Sequence, residues 1–425
     1  MKILTYKDYF AKEESDFQES ERKLDDTVLQ IIRHVRETGD EAVIHFTHQF
    51  DNIIIKDLIV SDKEFEEAEK SVTTSFKEAI QRAHDNIREF QQQQIESSWR
   101  YERESGVTLG QQISPIDRVG VYVPGGKAAY PSTVLMDIIP AKIAGVEEIY
   151  MTTPPQEDGK INPHVLLAAK LAGVTKVYKI GGAQAIAALA YGTKTIQKVD
   201  KIVGPGNAYV ARAKKWVFGD VAIDMIAGPS EICVLADDKA PSHFIAADLL
   251  SQAEHDEDAV PICITFSEAK AEAIKEKVDQ QLTELPRQHI AEASLKQNGV
   301  IYVVEDLDEA FTLINDIAPE HLQLMIENAS NLVNRVKHAG AIFIGNYSPE
   351  ALGDYLAGPN HTLPTSGTAR FSSPLGVYDF MKRSSIIHYS EAALLSEANY
   401  IEEIAQTEGL LGHAKAISIR KNKKE

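Results

Sequence analysis

A chain of 425 residues is long for a single hydrophobic core, so two or more domains are expected. Hydrophobic residues make up 44% and charged residues 25%, an ordinary globular balance, and a formal net charge of −19 makes the surface acidic. Such a surface repels a phosphate backbone, which argues against a nucleic-acid partner; its simplest consequence is solubility.

The charged opening Met1-Lys2-Ile3-Leu4-Thr5-Tyr6-Lys7 contains no apolar signal region. Up to about residue 115 the chain reads as helical. Leu24, Val28, Ile31, Ile32 and Val35 share one helical face, and Gly39 is placed to end that helix. Ser61-Asp62-Lys63-Glu64 has the form of a capping box, and 64–94 reads as a polar surface helix.

The pattern changes at Val119. Strand candidates at 119–123, 148–152, 176–180, 201–203, 232–235, 261–266, 300–304, 322–326 and 341–344 alternate with helical stretches. The helices are 165–172, 183–191, 209–218, 244–254 and 269–282. This spacing predicts parallel α/β layers, and the number of strands predicts two sheets of related type. The most apolar stretch, 133–146, is broken by Asp137, Pro140 and Lys142 and is too short to span a bilayer. The expectation is a soluble cytoplasmic protein without a membrane partner. Tight turns at Pro124-Gly125-Gly126, Gly181-Gly182 and Gly204-Pro205-Gly206 directly follow strands, at the edge where open α/β sheets bind ligands; Gly228-Pro229-Ser230 is a fourth turn. Beyond Gly345, 346–382 reads as loop, 386–389 as a last strand and 391–415 as a helical tail. Cys233 and Cys263 sit in apolar runs and read as small buried hydrophobes.

Four places carry possible chemistry. Gln252 and His255, three apart near a helix end, can face one ion. Asp354 is a carboxylate beside Gly353, with Glu350 before it and His361 after it. Glu320-His321 offers a carboxylate to activate water and an imidazole to act as general base. Adjacent residues of a regular strand face opposite ways, so this pair serves one site only if Pro319 holds it in a turn. Glu408 and His413 bracket Gly409 and Gly412, which favours a bend. Taken singly, each reads better as surface polarity, a turn carboxylate, a core or surface histidine or a flexible tail than as a functional group. Gly204-Pro-Gly206-Asn-Ala-Tyr209 is a partial dinucleotide fingerprint, with tyrosine in the third place, where close helix packing needs a small residue.

Taken together, the motifs resemble one family. Val119-Gly-Val-Tyr-Val-Pro-Gly-Gly, Gly181-Gly-Ala-Gln-Ala-Ile-Ala-Ala, Lys201-Ile-Val-Gly-Pro-Gly-Asn, Ala227-Gly-Pro-Ser-Glu and Asp248-Leu-Leu-Ser-Gln-Ala-Glu-His are similar to histidinol dehydrogenases. So are Pro319-Glu-His-Leu, Ser348-Pro-Glu, Gly353-Asp-Tyr and Gly358-Pro-Asn-His-Thr-Leu-Pro-Thr, in the family's order, and the 408–413 segment also fits. The resemblance implies oxidation of L-histidinol by two NAD⁺ and water to L-histidine, the last step of histidine biosynthesis, through an enzyme-held aldehyde. One zinc ion per subunit would be held by Gln252, His255, Asp354 and His413 and would orient the substrate. Further substrate contacts would come from Ser230, Glu350, His361 and Glu408, together with His321 and the zinc ligands. NAD contacts would come from Tyr122, Gln184 and Asn207. His321 would be the general base and Glu320 the activator of water. The resemblance also implies a homodimer with shared active sites, Glu408 and His413 acting across the subunit boundary.

The expected fold is therefore two Rossmann-like parallel-sheet domains with a helical N-terminal segment and a C-terminal helical tail. The expected layout is an arm at 1–20, a first α/β domain at 21–118 with 232–375, a second at 119–231, and a tail at 376–425. Three other readings remain at this point: a relative acting on another amino alcohol, a zinc hydrolase using Glu320 without NAD, and an inactive binding protein.

Overall fold

The structure, a computed structural model, describes residues 1–11, 18–104, 106–125 and 129–421. Gly126 of the first glycine turn and part of the expected 1–20 arm lie outside the described residues. The strands in chain order are β1 (Lys2–Thr5), β2 (Trp99–Glu104), β3 (Val107–Pro115), β4 (Arg118–Tyr122), β5 (Glu148–Thr153), β6 (Lys176–Lys179) and β7 (Lys201–Val203). They continue as β8 (Ala222–Ile223), β9 (Glu231–Ala236), β10 (Val260–Thr265), β11 (Val300–Val303), β12 (His321–Met325), β13 (Ala341–Ile344) and β14 (Met381–Tyr389).

The residues pack as two compact units, Met1–Gln94 with Ile116–Phe380, and Ile95–Pro115 with Met381–Glu425. The first unit holds two parallel sheets, ordered β1-β11-β10-β9-β12-β13 and β6-β5-β4-β7-β8. Inner strands such as β9 and β10 are largely apolar because helices cover both faces. In β9, Ile232 and Val234 enter the cluster around Leu249, Ala253 and Ile274, while Cys233 and Leu235 enter the opposite one around Phe311, Ile314 and Leu322. Both cysteines are fully buried, as expected, and burial pushes both thiols up.

The N-terminal helices pack on the β4–β8 sheet rather than on the sheet that holds β9. The face Val28, Ile31, Ile32 and Val35 meets Ala183, Ile186, Leu189 and Val210. Residues 58–60 extend this sheet's edge, with Lys179 N donating to Leu58 O at 2.8 Å and Val60 N to Val177 O at 2.9 Å. The contacts thus depart from the expected division, which had placed 21–118 with 232–375. Periodicity shows that a helix has an apolar face but not which sheet covers it.

The reading of helix up to about residue 115 is corrected at β1, β2 and β3. Strand β1 is a four-residue edge strand beside β11. Strands β2 and β3 form an antiparallel sheet with β14 in the second unit, in the order β14-β3-β2. Trp99–Glu104 is exposed along its whole length, so it lacks the alternation that betrays a half-buried strand. Two helices, Glu391–Thr407 and Leu411–Lys421, complete this unit. No helix among the described residues is long and apolar enough to cross a membrane.

Candidate functional site

Chemistry gathers at the N-terminal ends of β9 and β12, which lie side by side with His321 paired to Ile232. The helix Leu307–Ile317 ends at Ala318 in the left-handed conformation (φ 51°), and Pro319 follows it. This turn leaves Glu320 just ahead of β12, so Glu320 and His321 both bear on Glu231, the first residue of β9. The N–H of Glu231 donates to Glu320 Oε2 at 2.8 Å, and its carbonyl lies 2.9 Å from His321 Nδ1. The objection from strand alternation is met by that turn.

A carbonyl only accepts, so the bond places the His321 proton on Nδ1 and leaves Nε2 as the basic nitrogen. That Nε2 is buried without a hydrogen-bond partner, 3.8 Å from Asp354 Oδ1. Glu320 is 6% exposed and His321 4%. Burial pushes the His321 imidazolium down, favouring the neutral ring, and pushes the Glu320 carboxyl well above its usual range.

The adjoining cluster comes from two helices. Helix Ser242–Ala253 is held by buried Ile245, Leu249 and Leu250, and its last turn presents Gln252. His255 follows, its N–H donating to Gln252 O at 3.2 Å. The short helix Glu350–Tyr355 supplies Glu350 and Asp354. Ligand-type atoms of His255, Glu350 and Asp354 lie within 4.8 Å of one another. The Gln252 amide, its nitrogen donating, reaches Glu350 Oε1 at 3.2 Å and Glu231 O at 3.1 Å, which leaves its oxygen for a cation. Ser251 Oγ donates to Glu350 Oε2 at 3.2 Å. Burial, then the charge of Asp354, raises the Glu350 carboxyl well above its usual range. Nitrogen and oxygen donors crowded into a buried acidic cluster fit a divalent metal, whose charge offsets the repulsion.

Of the other expected contacts, Ser230 is half-buried directly before Glu231. His361 Nδ1 donates to Asp354 O at 3.0 Å, and its Nε2 lies 3.2 Å from Thr133 Oγ1. Both of its ring nitrogens are therefore engaged. Glu408 and His413 belong to the second unit. Glu408 closes helix Glu391–Thr407, Gly409 turns the chain at φ 73°, and His413 opens the next helix; both are exposed. The bend expected from the glycines is present.

The second locus is the C-terminal edge of the other sheet. Strand β4 lies between β5 and β7, so the chain reverses its direction of winding there, the usual place for a ligand crevice. Tyr122 ends β4; its hydroxyl accepts from Gly182 N at 3.1 Å, and burial pushes its phenol up to about 12. Gln184 is 1% exposed, with Oε1 unpartnered. Asn207 caps helix Ala208–Val217, accepting from Tyr209 N and Val210 N at 3.1 Å each. A Cβ on Gly204 would sit 2.1 Å from Tyr122 O, and one on Gly206 would sit 3.1 Å from Tyr122 Cε1. The glycine turn thus lies directly on Tyr122. Tyr209, in the third place of the fingerprint, is 47% exposed. An orphaned buried amide oxygen, a glycine cradle and a helix N-terminus together fit a phosphate-bearing cofactor.

One residue, Glu231, escaped the sequence reading at the first locus. It acts through main-chain atoms, which leave no side-chain signature. Glu350 was expected as a substrate contact, yet it stands among the ligand-type atoms.

Two doubly wound parallel sheets, with a buried histidine–carboxylate cluster at one edge and a glycine-turn crevice at the edge of the other, define an α/β protein with a metal-type site and a cofactor-type cleft. The family model described as histidinol dehydrogenase matches residues 14–421. The chain is 58% identical over 400 residues to a histidinol dehydrogenase from Oceanobacillus iheyensis, covering 94% of each chain. It is 53% identical over 420 residues to one from Halalkalibacterium halodurans, covering 99% of each. The crystal structure of histidinol dehydrogenase from Elizabethkingia anophelis superposes with a TM-score of 0.93 at 39% identity, covering 99% of this chain and 98% of that one. The chain belongs to the histidinol dehydrogenase family and is thereby an oxidoreductase.

Proposed function

We propose that the protein oxidises L-histidinol to L-histidine in two NAD-dependent hydride transfers, through an aldehyde that stays bound, as the last step of histidine biosynthesis in the cytoplasm. The observation that carries this reading is the buried Glu320–His321 pair beside the cluster of Gln252, His255, Glu350 and Asp354. Zinc, one per subunit, would be held by Gln252, His255, Asp354 and His413, supplying a fixed positive anchor for the imidazole and amino nitrogens of the substrate. NAD⁺ would lie against Tyr122, Gln184 and Asn207 and accept hydride.

His321 Nε2 takes the alcohol proton, because Nδ1 is committed to the Glu231 carbonyl. Glu320, held by the Glu231 N–H, takes a proton from the water that hydrates the aldehyde. His321 acts again as the hydrate loses its second hydride. Ser230, Glu350, His361 and Glu408 fix the substrate. Burial of the pair excludes bulk water and retains the reactive aldehyde. The working form is a homodimer in which Glu408 and His413 complete the partner's site. That arrangement gives a purpose to two polar residues exposed on the second unit.

The test is NADH formation from L-histidinol, counted per substrate consumed, with and without a chelator. Two NADH per histidinol, lost on chelation and restored by zinc, are expected. One NADH would point to an alcohol dehydrogenase that releases its aldehyde, and none from folded, zinc-loaded protein would overturn the reading.

A further inference from the structure

A buried ion pair grips the glycine turn of the cofactor cleft. Lys214, on helix Ala208–Val217, pairs with Asp224 Oδ1, and the two side chains are 2% and 1% exposed. Lys214 Nζ donates to Gly204 O at 2.8 Å, and Gly204 N donates to Asp224 Oδ2 at 2.8 Å. Both polar atoms of Gly204 are therefore held by opposite ends of one ion pair. The Asp224 carboxylate also accepts from Met225 N at 2.6 Å.

Stability alone does not account for this arrangement, because desolvating two charges usually costs as much as their attraction returns. What the pair does supply is a fixed peptide orientation. Gly204 has φ 110°, and the Tyr122 carbonyl fills the space a side chain would need. From Gly204 the chain runs through Pro205 and Gly206, which lies against the Tyr122 ring, to Asn207 at the helix start. Tilting the Gly204 peptide would move Gly206 off Tyr122 and shift Asn207.

A second acid, Asp137, lies beside the pair and is fully buried. Its Oδ1 accepts from Thr362 Oγ1 at 2.8 Å, and its Oδ2 would stand 3.1 Å from a Cβ on Gly204. Burial pushes its carboxyl up to about 8, so it stays protonated at neutral pH and Lys214 faces a single negative charge.

We propose that Lys214 and Asp224 are positioning residues for the dinucleotide: by holding the N–H and the carbonyl of Gly204, they set the spacing between Tyr122 and Asn207 that the cofactor needs. This rests on the reading of Tyr122, Gln184 and Asn207 as the NAD contacts.

The test uses the full-length, zinc-loaded protein and NADH binding followed by its fluorescence. Lys214→Met combined with Asp224→Asn removes both charges together and leaves no unpaired ion. The folded double variant should bind NADH about tenfold more weakly, the size expected for losing a charge-assisted hydrogen bond. The KM for NAD should rise in step while the KM for histidinol and the zinc content hold, a split that general destabilisation does not produce. Asp224→Asn alone, nearly isosteric, should weaken NADH binding in the same direction and decides the matter if the double variant fails to fold. NADH binding unchanged in a folded variant would overturn the clamp alone. No NADH binding by the wild-type chain would overturn the dinucleotide reading and the clamp with it.

Discussion

At the scale of single residues, the environment of each side chain decides what it can do. Glu320 and His321 are neighbours in sequence, but their roles differ because Glu231 offers a donor to one and an acceptor to the other. His321→Ala should lower turnover by about 10³-fold, within the usual range for a lost general base, while zinc analysis shows the metal still bound. Wild-type-like rates would remove His321 from the mechanism. Asp137 gives a pH signature of stability. Its carboxyl moves from the usual 3.8 up to about 8, chiefly through burial, with Asp224 raising it and Lys214 lowering it. Between those values the folded state keeps a proton that the unfolded chain has lost, so this group's contribution to stability falls as pH rises through that window. Asp137→Asn has no proton to lose. The Tm of the variant should gain on wild type as pH rises to about 8 and then level off; a pH-independent gap would show that Asp137 is ionised in the fold.

At the scale of elements, local chemistry starts and stops most helices where the sequence says it should. The helix Gln18–Thr38 ends at Gly39, with φ 60°. Ser61 and Glu64 form the expected capping box, with Ser61 N donating to Glu64 Oε2 at 2.9 Å. Ser61→Ala should therefore cost about 1 kcal/mol, read as a lower denaturant midpoint. Glu64→Ala should cost more, because Glu64 Oε1 also accepts from Lys179 Nζ at 2.9 Å and the Lys179 side chain is 10% exposed. Equal midpoints for the two variants would deny that pair a role. The expected helix 64–94 is two helices, Asp62–Ser71 and Thr74–Gln92, the second capped by Thr73. Thr73 Oγ1 accepts from Phe76 N at 3.3 Å, and Val72-Thr73-Thr74 carries no glycine or proline to signal the break. The C-terminal residues of helix Ser242–Ala253 reach the N-terminal edge of β9, opposite to the edge the glycine turns led one to expect for ligands. The helix returns antiparallel to its strand, so its end lies at the start of β9 and β12.

At the scale of the whole molecule, the proposed dimer gives its own prediction. Mixed dimers of His413→Ala with Glu320→Ala subunits should regain activity that neither parent dimer has, because one of their two sites would be intact. Demonstrated mixed dimers without recovery would count against shared sites. Glu408 and His413 were legible only through the family resemblance, since their own spacing shows no more than a bend. The ion pair of Lys214 and Asp224 was not legible at all, because the end of a helix, a turn and the short strand β8 separate its members and no spacing rule joins them.

Taken alone, the sequence determined the alternation of strands and helices from Val119 onward, the caps and glycine stops, the buried cysteines and the motifs that carry family membership. Each of these is a local property, set by side-chain period, capping chemistry or backbone freedom within a few residues. Only the tertiary structure decided that the N-terminal helices cover the β4–β8 sheet and that Trp99–Glu104 is a strand. It also decided that β14 pairs with β3, that Glu231 orients the Glu320–His321 pair and that Glu350 joins the ligand cluster. Those outcomes depend on pairings between distant segments and on main-chain hydrogen bonds. A backbone carbonyl is the same in every residue, and an N–H in every residue but proline, so its partner is chosen by the fold and leaves no mark in the order of side chains.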